Sequence, residues 1–405
     1  MPHQVHIEHV IRSHLDVLCN QLGNRHVGSA GNQAATSYFV REAISLGFRA
    51  TCSPFPCLEW EPGEVILEIA GALWEASAGP YSLPCDVYED LVCISTLQEL
   101  EEAPIEGKLV LLHGEIASEP FMPKSFVFYN PDMHKQIVSL LESKMPAALI
   151  AATGKSPGTA GSVYPFPLFE DGDFDIPFVV MKDVDGDRLR QHAGKRARLY
   201  MESKRIPASA CNPVADKGPQ DGPRILLCAH IDTKKNTPGA LDNGTGVAVL
   251  LAVAKLLEHH SPKMRLELVA FNGEDYYSVP GQMLYLEELG DRMDEVALAI
   301  NIDCAGHVDS RVEYSFYNLS RQLQAIAEAA IASQENAQLG ESWFQSDHAM
   351  FSMAGRPAMA VTSSNFAWLC QEITHTPKDT TALVDVGALA RTAHTISSIA
   401  RTLTS

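Results

Sequence analysis

Positive charge is scarce in this chain. Its 405 residues carry 31 Lys and Arg against 50 Asp and Glu, a formal charge of −19. Neither nucleic acid nor an anionic membrane surface finds a basic field to bind here, so both are excluded as partners. A cationic group, such as a free peptide amino terminus, suits the balance, although solubility alone explains it as well. Long apolar runs are lacking too. None reaches 18 residues, so no membrane-spanning helix is expected. The opening Met-Pro-His-Gln-Val-His-Ile-Glu-His has no apolar core, and no secretory signal is expected. The nine cysteines are odd in number and scattered, which predicts free thiols in a reducing cytoplasm. Cys52 and Cys57 are read as two buried thiols rather than a pair. No internal repeat or low-complexity tract is present.

What the chain does have is ordinary globular composition, 46% hydrophobic and 20% charged, at a length beyond one usual core. Two domains are expected, one inserted in the other. Apolar spacing predicts helices over 5–22 and 32–46, joined by the loop Arg25-His-Val-Gly-Ser-Ala-Gly-Asn32, which is read as a helix connection ending in an N-cap. From 57 to 205 short alternating strands are separated by Pro- and acid-rich loops, with one helix at about 132–144. This segment has few clustered ligand-type side chains and is read as a β-rich unit without chemistry of its own. Its stretch Pro165–Pro177 gathers aromatics that serve either as a contact or lid surface or as loop packing. From 206 strands and helices alternate: strands at 225–229, 265–271, 297–303 and 357–362, helices at 246–259, 318–334, 347–354 and 385–403. That pattern predicts a three-layer α/β/α sandwich on a mixed, largely parallel central sheet, with functional groups at the carboxyl ends of strands.

Ligand-type side chains sit at those ends. Ile225-Leu-Leu-Cys-Ala-His-Ile-Asp232 reads as a buried strand delivering His230, with Asp232 two residues on to orient the imidazole. Gly239-Ala-Leu-Asp-Asn-Gly-Thr-Gly246 presents Asp242 in a turn before a helix. Strand 265–271 runs into Glu274-Asp275, strand 297–303 ends in Asp303, and His375 lies late in the chain with Asp379 nearby. A surface turn is the plain alternative for each alone; their succession at strand ends is harder to obtain by chance. Two imidazoles and three carboxylates form a nitrogen-and-oxygen donor set suited to two zinc-like ions sharing one carboxylate. Such a pair binds both the carbonyl oxygen and the attacking water of a hydrolysis. In the Glu274-Asp275 pair, one carboxylate serves as ligand while its neighbour stays free as general base.

The motifs His230-x-Asp232, Gly239-Ala-Leu-Asp-Asn-x-x-Gly246, Phe271-x-x-Glu-Asp275, Asn301-Ile-Asp303, Ser346-Asp-His348 and His375-Thr-Pro-Lys-Asp-Thr380 together resemble the co-catalytic zinc aminopeptidases, family 28 of the metallopeptidases. The resemblance implies a zinc-dependent exopeptidase with two divalent ions, Zn2+, acting on a peptide or amino-acid amide. His230 and Asp303 would hold one ion, Asp275 and His375 the other, with Asp242 bridging and Glu274 as base. Residues 1–56 and 206–405 would form the catalytic domain, and 57–205 an inserted protease-associated-like domain. Asp275 stands where the family usually has Glu. Tyr276-Tyr-Ser-Val-Pro-Gly281 also departs from the family's usual continuation. Tyr276, Asp347 and His348 are expected near the substrate; the last two contact either the substrate or a group that supports the centre, with a helix cap as the plain alternative. A carboxypeptidase, deacylase or glutaminyl-cyclase-like enzyme on the same fold is the alternative function. A catalytically dead binding protein is disfavoured because every ligand position is filled. The oligomeric state is left open.

Overall fold

In the Arg224–His230 strand, Ile225, Leu227 and Ala229 point one way and Leu226, Cys228 and His230 the other, because strand side chains alternate. The computed structural model describes residues 2–156 and 162–405, and it separates two compact units: Met1–Cys57 with Ser209–Ser405, and Leu58–Ala208.

In the first unit, Ile225, Leu227 and Ala229 join a continuous core with Leu266, Leu268 and Ala270 of Arg265–Phe271 and with Leu298, Ile300 and Ile302 of Val296–Ile302. Against this face pack the helices Pro2–Leu15, Ala30–Ser45, Thr245–Leu256 and Val386–Thr404. Ile7, Ile11 and Leu15 recur at i, i+4 and i+8, the stripe an amphipathic helix turns inward. Every residue from Thr245 to Ala254 is buried, so that helix is apolar all round and lies inside the unit. On the opposite face Phe271 meets Tyr285 of the helix Pro280–Leu289 at 5.2 Å, and Tyr285 meets Phe351 of His348–Met353 at 6.3 Å. Helices therefore cover both faces of the sheet.

The strand order in this unit is Ala337–Leu339, Val312–Tyr317, Ala358–Ser363, Val296–Ile302, Arg224–His230, Arg265–Phe271 and residues 214–217 of the long strand Arg196–Lys217. The inner strands run parallel, and antiparallel pairs enter where Val312–Tyr317 meets Ala358–Ser363 and where 214–217 meets Arg265–Phe271. The sheet is mixed and largely parallel. Phe271 lies opposite His230 in register, so the ends of these neighbouring strands stand side by side. Among the described residues no helix is long and apolar enough to cross a membrane.

Two expectations are corrected here. Cys52 and Cys211 form a disulfide, with Cα atoms 5.5 Å apart and a separation of 159 in sequence. The argument from scattered thiols to a reducing compartment thus loses its premise, although Cys57 is a buried thiol outside the disulfide, as expected. The second correction concerns Arg49–Ile69 and Arg196–Lys217, which are far longer strands than the short runs expected. Pro54, Pro56, Pro62, Pro207 and Pro213 read as breakers in the sequence. In the structure they sit within extended backbone, where proline's fixed φ is tolerated if its absent N–H is not needed by a neighbour.

In the second unit Cys85–Ile94, Leu109–Leu112, Ala148–Thr153 and Phe178–Lys182 pair in parallel in that order. Residues 196–201 of the long strand pair antiparallel with Cys85–Ile94, and Ser77–Ala78 with Phe178–Lys182. The helix Asp132–Lys144 packs Ile137, Val138 and Leu141 into one of the two cores that line this sheet. Phe166, Phe169 and Phe174 belong to that same core and are at most 3% exposed. Phe169 stacks on Phe174 at 4.4 Å and meets Phe178 edge-on at 5.2 Å. The aromatic stretch is core packing, and its reading as a lid surface is corrected.

Candidate metal centre

At the carboxyl end of the parallel strands the chain stops hydrogen-bonding to itself in ladders, and side chains take over that work. His230, fully buried, lies with Nδ1 3.2 Å from the main-chain oxygen of Asp232 and 3.8 Å from its carboxylate. The carbonyl is the nearer acceptor, which fixes the tautomer and turns Nε2 into the site. From there Nε2 is 3.1 Å from Asp242 Oδ1, 3.4 Å from Asp303 Oδ1 and 3.8 Å from Glu274 Oε2. On the other side of Asp242, its Oδ2 stands 3.1 Å from His375 Nε2, which is 2.8 Å from Asp275 Oδ1. Two groups result, His230 with Asp242 and Asp303, and Asp242 with Asp275 and His375. In each, the donor atoms all lie within 4.8 Å of one another. Asp242 belongs to both.

The backbone that presents these groups is held by carboxylates and amides that donate nothing to the centre itself. Asp232 Oδ1 accepts the N–H of Gly273 at 2.8 Å and of Glu274 at 3.3 Å, and Oδ2 accepts that of Asp275 at 3.0 Å. Its principal work is therefore to brace the turn bearing Glu274 and Asp275; orienting His230 falls to its carbonyl. Asp379 likewise accepts the N–H of Leu241 at 2.7 Å and of Asp242 at 3.0 Å. Asn243 ties the same turn to strand Val296–Ile302 through Ile302 O at 2.8 Å. Lys234 donates its N–H to Asp275 Oδ2 at 3.1 Å.

Asp303 rests on a relay. Ser346 Oγ donates to its Oδ2 at 2.6 Å, Asn301 Nδ2 donates to Ser346 Oγ at 2.8 Å, and Asn301 Nδ2 lies 3.4 Å from His348 Nδ1. His348 Nε2 donates to Trp343 O at 2.7 Å. Burial lowers the His348 pKa to about 4, so the ring is neutral and its Nδ1 accepts. His348 is fully buried, and Asp347 is 2% exposed and accepts from Gln282 Nε2 at 2.8 Å. Of the two expected contacts, substrate or a supporting group, the relay gives His348 the second, through Asn301 and Ser346 to Asp303. Tyr276, 4% exposed with its ring 4.4 Å from that of Tyr277, likewise offers little surface to a ligand. Ser346 and Asn301 were quoted within motifs, but nothing in their spacing marked them as a relay. By contrast Glu274 keeps 22% of its side chain open and His375 16%, so the mouth of the centre is there.

The electrostatics are those of a pocket holding more negative charge than it can carry alone. Burial pulls the His375 imidazole down, but Asp275 and Asp242 outweigh it and lift the pKa to about 10. His230 is raised well above its ordinary value by Asp303, Glu274 and Asp242 against the same pull. Burial pushes Glu274 well above the usual carboxylate range, offset by His230 and reinforced by Asp275 and Asp303. Burial also raises Asp379 to about 7, with Asp242 adding to it. His230 Nε2 and Asp303 Oδ1 are buried without a hydrogen-bond partner although they face each other. Orphaned donors and acceptors in a buried cluster of carboxylates and imidazoles fit a bound cation, and the mixed N/O set fits zinc.

Several known proteins resemble this chain. The profile of Peptidase family M28 matches residues 212–400. A probable lipoprotein aminopeptidase, LpqL, of Mycobacterium tuberculosis is 25% identical over 293 residues, 69% of this chain and 55% of that protein. Aminopeptidase YwaD of Bacillus subtilis is 24% identical over 216 residues, 50% of this chain and 46% of its own. The chain spans about half the length of these curated relatives. Among solved structures, an aminopeptidase from Aneurinibacillus sp. strain AM-1 superposes with a TM-score of 0.77 at 20% identity, covering 97% of this chain and 92% of that one. BSAP, a zinc aminopeptidase from Bacillus subtilis, gives 0.74 at 19% identity, covering 98% and 95%.

Proposed function

We propose that this chain, a member of peptidase family M28 by its residues 212–400, is a zinc-dependent aminopeptidase that hydrolyses the amino-terminal bond of a peptide or amino-acid amide. The observation that carries the reading is the pair of donor groups sharing Asp242, with Glu274 beside them and partly open to solvent. His230 and Asp303 would hold one ion, Asp275 and His375 the other, and Asp242 both. Zinc, when bound, supplies polarisation of the scissile carbonyl and acidification of a water. Glu274 takes the proton from that water and returns it to the leaving amine. Its place beside the donor groups, with Oε2 3.8 Å from His230 Nε2 and the side chain partly open, puts it within reach of both transfers. Asp232 fixes Glu274 and Asp275 on one turn, so base and ligand keep a constant offset. The excess of acidic residues suits recognition of a free amino group.

In this reading the Leu58–Ala208 unit is protease-associated-like and takes no chemical part, since both candidate metal groups found among the described residues lie in the other unit. The test is an unblocked aminoacyl arylamide against its N-acetyl form, with chelator-treated and zinc-restored protein. Cleavage of the unblocked compound alone, dependent on zinc, is expected. Equal cleavage of both overturns the aminopeptidase reading in favour of a broader amidase.

A further inference from the structure

Arg25 heads the largest fully buried side chains of the protein, at 1% exposure. A guanidinium taken out of water needs every donor satisfied. Its side chain donates to five main-chain carbonyls. Nε donates to Ile231 at 3.0 Å, Nη2 to Gly239 at 2.8 Å, and Nη1 to Leu18 and Pro238 at 2.9 Å each and to Gly23 at 3.4 Å. Two of these acceptors flank the metal centre. Ile231 stands between His230 and Asp232, and Gly239 opens the turn that bears Asp242. The fit at Gly239 is close from the other side as well. Its φ is +57°, and a Cβ there would lie 3.0 Å from Arg25 Nη2 and 2.2 Å from Thr233 Cγ2.

The main chain of the same residue extends the brace. Arg25 N–H donates to Thr233 Oγ1 at 3.1 Å, and Arg25 O accepts from Asn32 Nδ2 at 3.0 Å. Asn32 and Asn272 then exchange amide hydrogen bonds, 2.7 Å one way and 3.1 Å the other. Asn272 immediately precedes the Gly273–Asp275 turn. One stretch, Arg25 to Asn32 at the start of the helix Ala30–Ser45, thus touches the segments carrying His230, Asp242 and Glu274-Asp275, although it lies outside the residues that match the family profile.

We infer that Arg25 is a positioning residue of the metal centre: its planar fork sets the separation of His230 and Asp242 by holding Ile231 O and Gly239 O at a fixed spacing. The inference rests on the metal-centre reading above. A lysine in its place supplies charge without the fork, and cannot span the two carbonyls and the Leu18 turn together. The loss expected for a supporting group of this kind is 10–100-fold in metal affinity.

The test compares full-length wild type, Arg25→Lys and Thr233→Val, the last removing only the hydroxyl that seats the Arg25 main chain. Zinc affinity is read by competition with a chromogenic chelator, and coordination geometry by the visible spectrum of the cobalt-loaded proteins. Wild type taking up two ions, with Arg25→Lys roughly 10–100-fold weaker and its cobalt spectrum altered, is the expected result. Thr233→Val should show a smaller loss in the same direction, and it decides the matter if Arg25→Lys does not fold. Undiminished zinc affinity and an unchanged spectrum in the folded variants, with only the melting temperature lowered, overturn this inference and leave the metal reading intact. A wild type that takes up no zinc overturns both.

Discussion

Replacing Asp232 with Asn tests whether the turn carrying Glu274 and Asp275 is held from below. The carboxylate accepts three backbone N–H groups, two on Oδ1 and that of Asp275 on Oδ2 at 3.0 Å. Asparagine keeps one oxygen for Gly273 and Glu274 but turns an NH2 toward the Asp275 N–H, so donor meets donor. A charge-assisted bond is lost and a buried N–H is stranded, costing about 1.5–3 kcal/mol. For a unit of this size each kcal/mol lowers melting by roughly 2–4 °C, so the metal-free variant should melt about 3–12 °C below wild type. Zinc should bind about 10–100-fold more weakly, because Asp275 rides on the loosened turn. His230 should keep its orientation, since its Nδ1 lies nearer the Asp232 carbonyl than the carboxylate. Calorimetry of the chelator-treated proteins and zinc competition give the two readouts. Unchanged melting with unchanged zinc retention refutes the bracing argument. Lost zinc with unchanged melting shows that Asp232 acts on the centre by charge and not through the turn.

Glu274→Gln should lower turnover by roughly 10²–10⁴-fold with two zinc ions retained, while Asp275→Asn loses one ion and regains activity in excess zinc; metal content and turnover across a zinc titration separate them, and the reverse pattern exchanges the two roles. His14, buried with Nδ1 2.6 Å from the Tyr38 hydroxyl, has its pKa lowered to about 4 by burial. Its neutral form therefore contributes stability that is full above about 6.5 and is lost as pH falls toward 4, worth about 3 kcal/mol at most. Melting of wild type minus His14→Gln should fall across that window, and a difference that does not vary with pH would exclude His14 as the cause. Phe169→Ala should cost about 3–5 kcal/mol in the Leu58–Ala208 unit, seen by denaturant unfolding; a loss under 1 kcal/mol would contradict its place in that core.

The first unit is legible because its strands are buried on both faces and read as short apolar runs, and because its candidate donors fall at the ends of those runs. The helix at Asp132–Lys144 and the strand at Arg265–Phe271 were placed to the residue for the same reason: each has one dominant period and clear punctuation. Val312–Tyr317 was missed. It is an outer strand whose partner in the sheet, Ala358–Ser363, follows it by more than forty residues. Pro280–Leu289 was missed because only one side of it is buried and the helix begins with Pro-Gly, a turn signal in the sequence. Arg25 was passed over because its acceptors at Ile231 and Gly239 are more than 200 residues away. For Asp347 and His348 the sequence leaves substrate contact and a supporting role both open, since spacing cannot tell the floor of a site from its wall; the structure buries both.

The bond between Cys52 and Cys211 makes a ring of the intervening chain. Both cysteines lie in the first unit, and the whole of the second is strung between them. A protease that cuts a loop anywhere in the Leu58–Ala208 unit would therefore leave one covalent molecule, running as a single species until a reductant divides it in two. The ring also limits what unfolding can gain. Tying ends 159 residues apart removes about 5 kcal/mol of chain entropy from the disordered state, so the strands of the first unit re-form with their entry and exit points already joined.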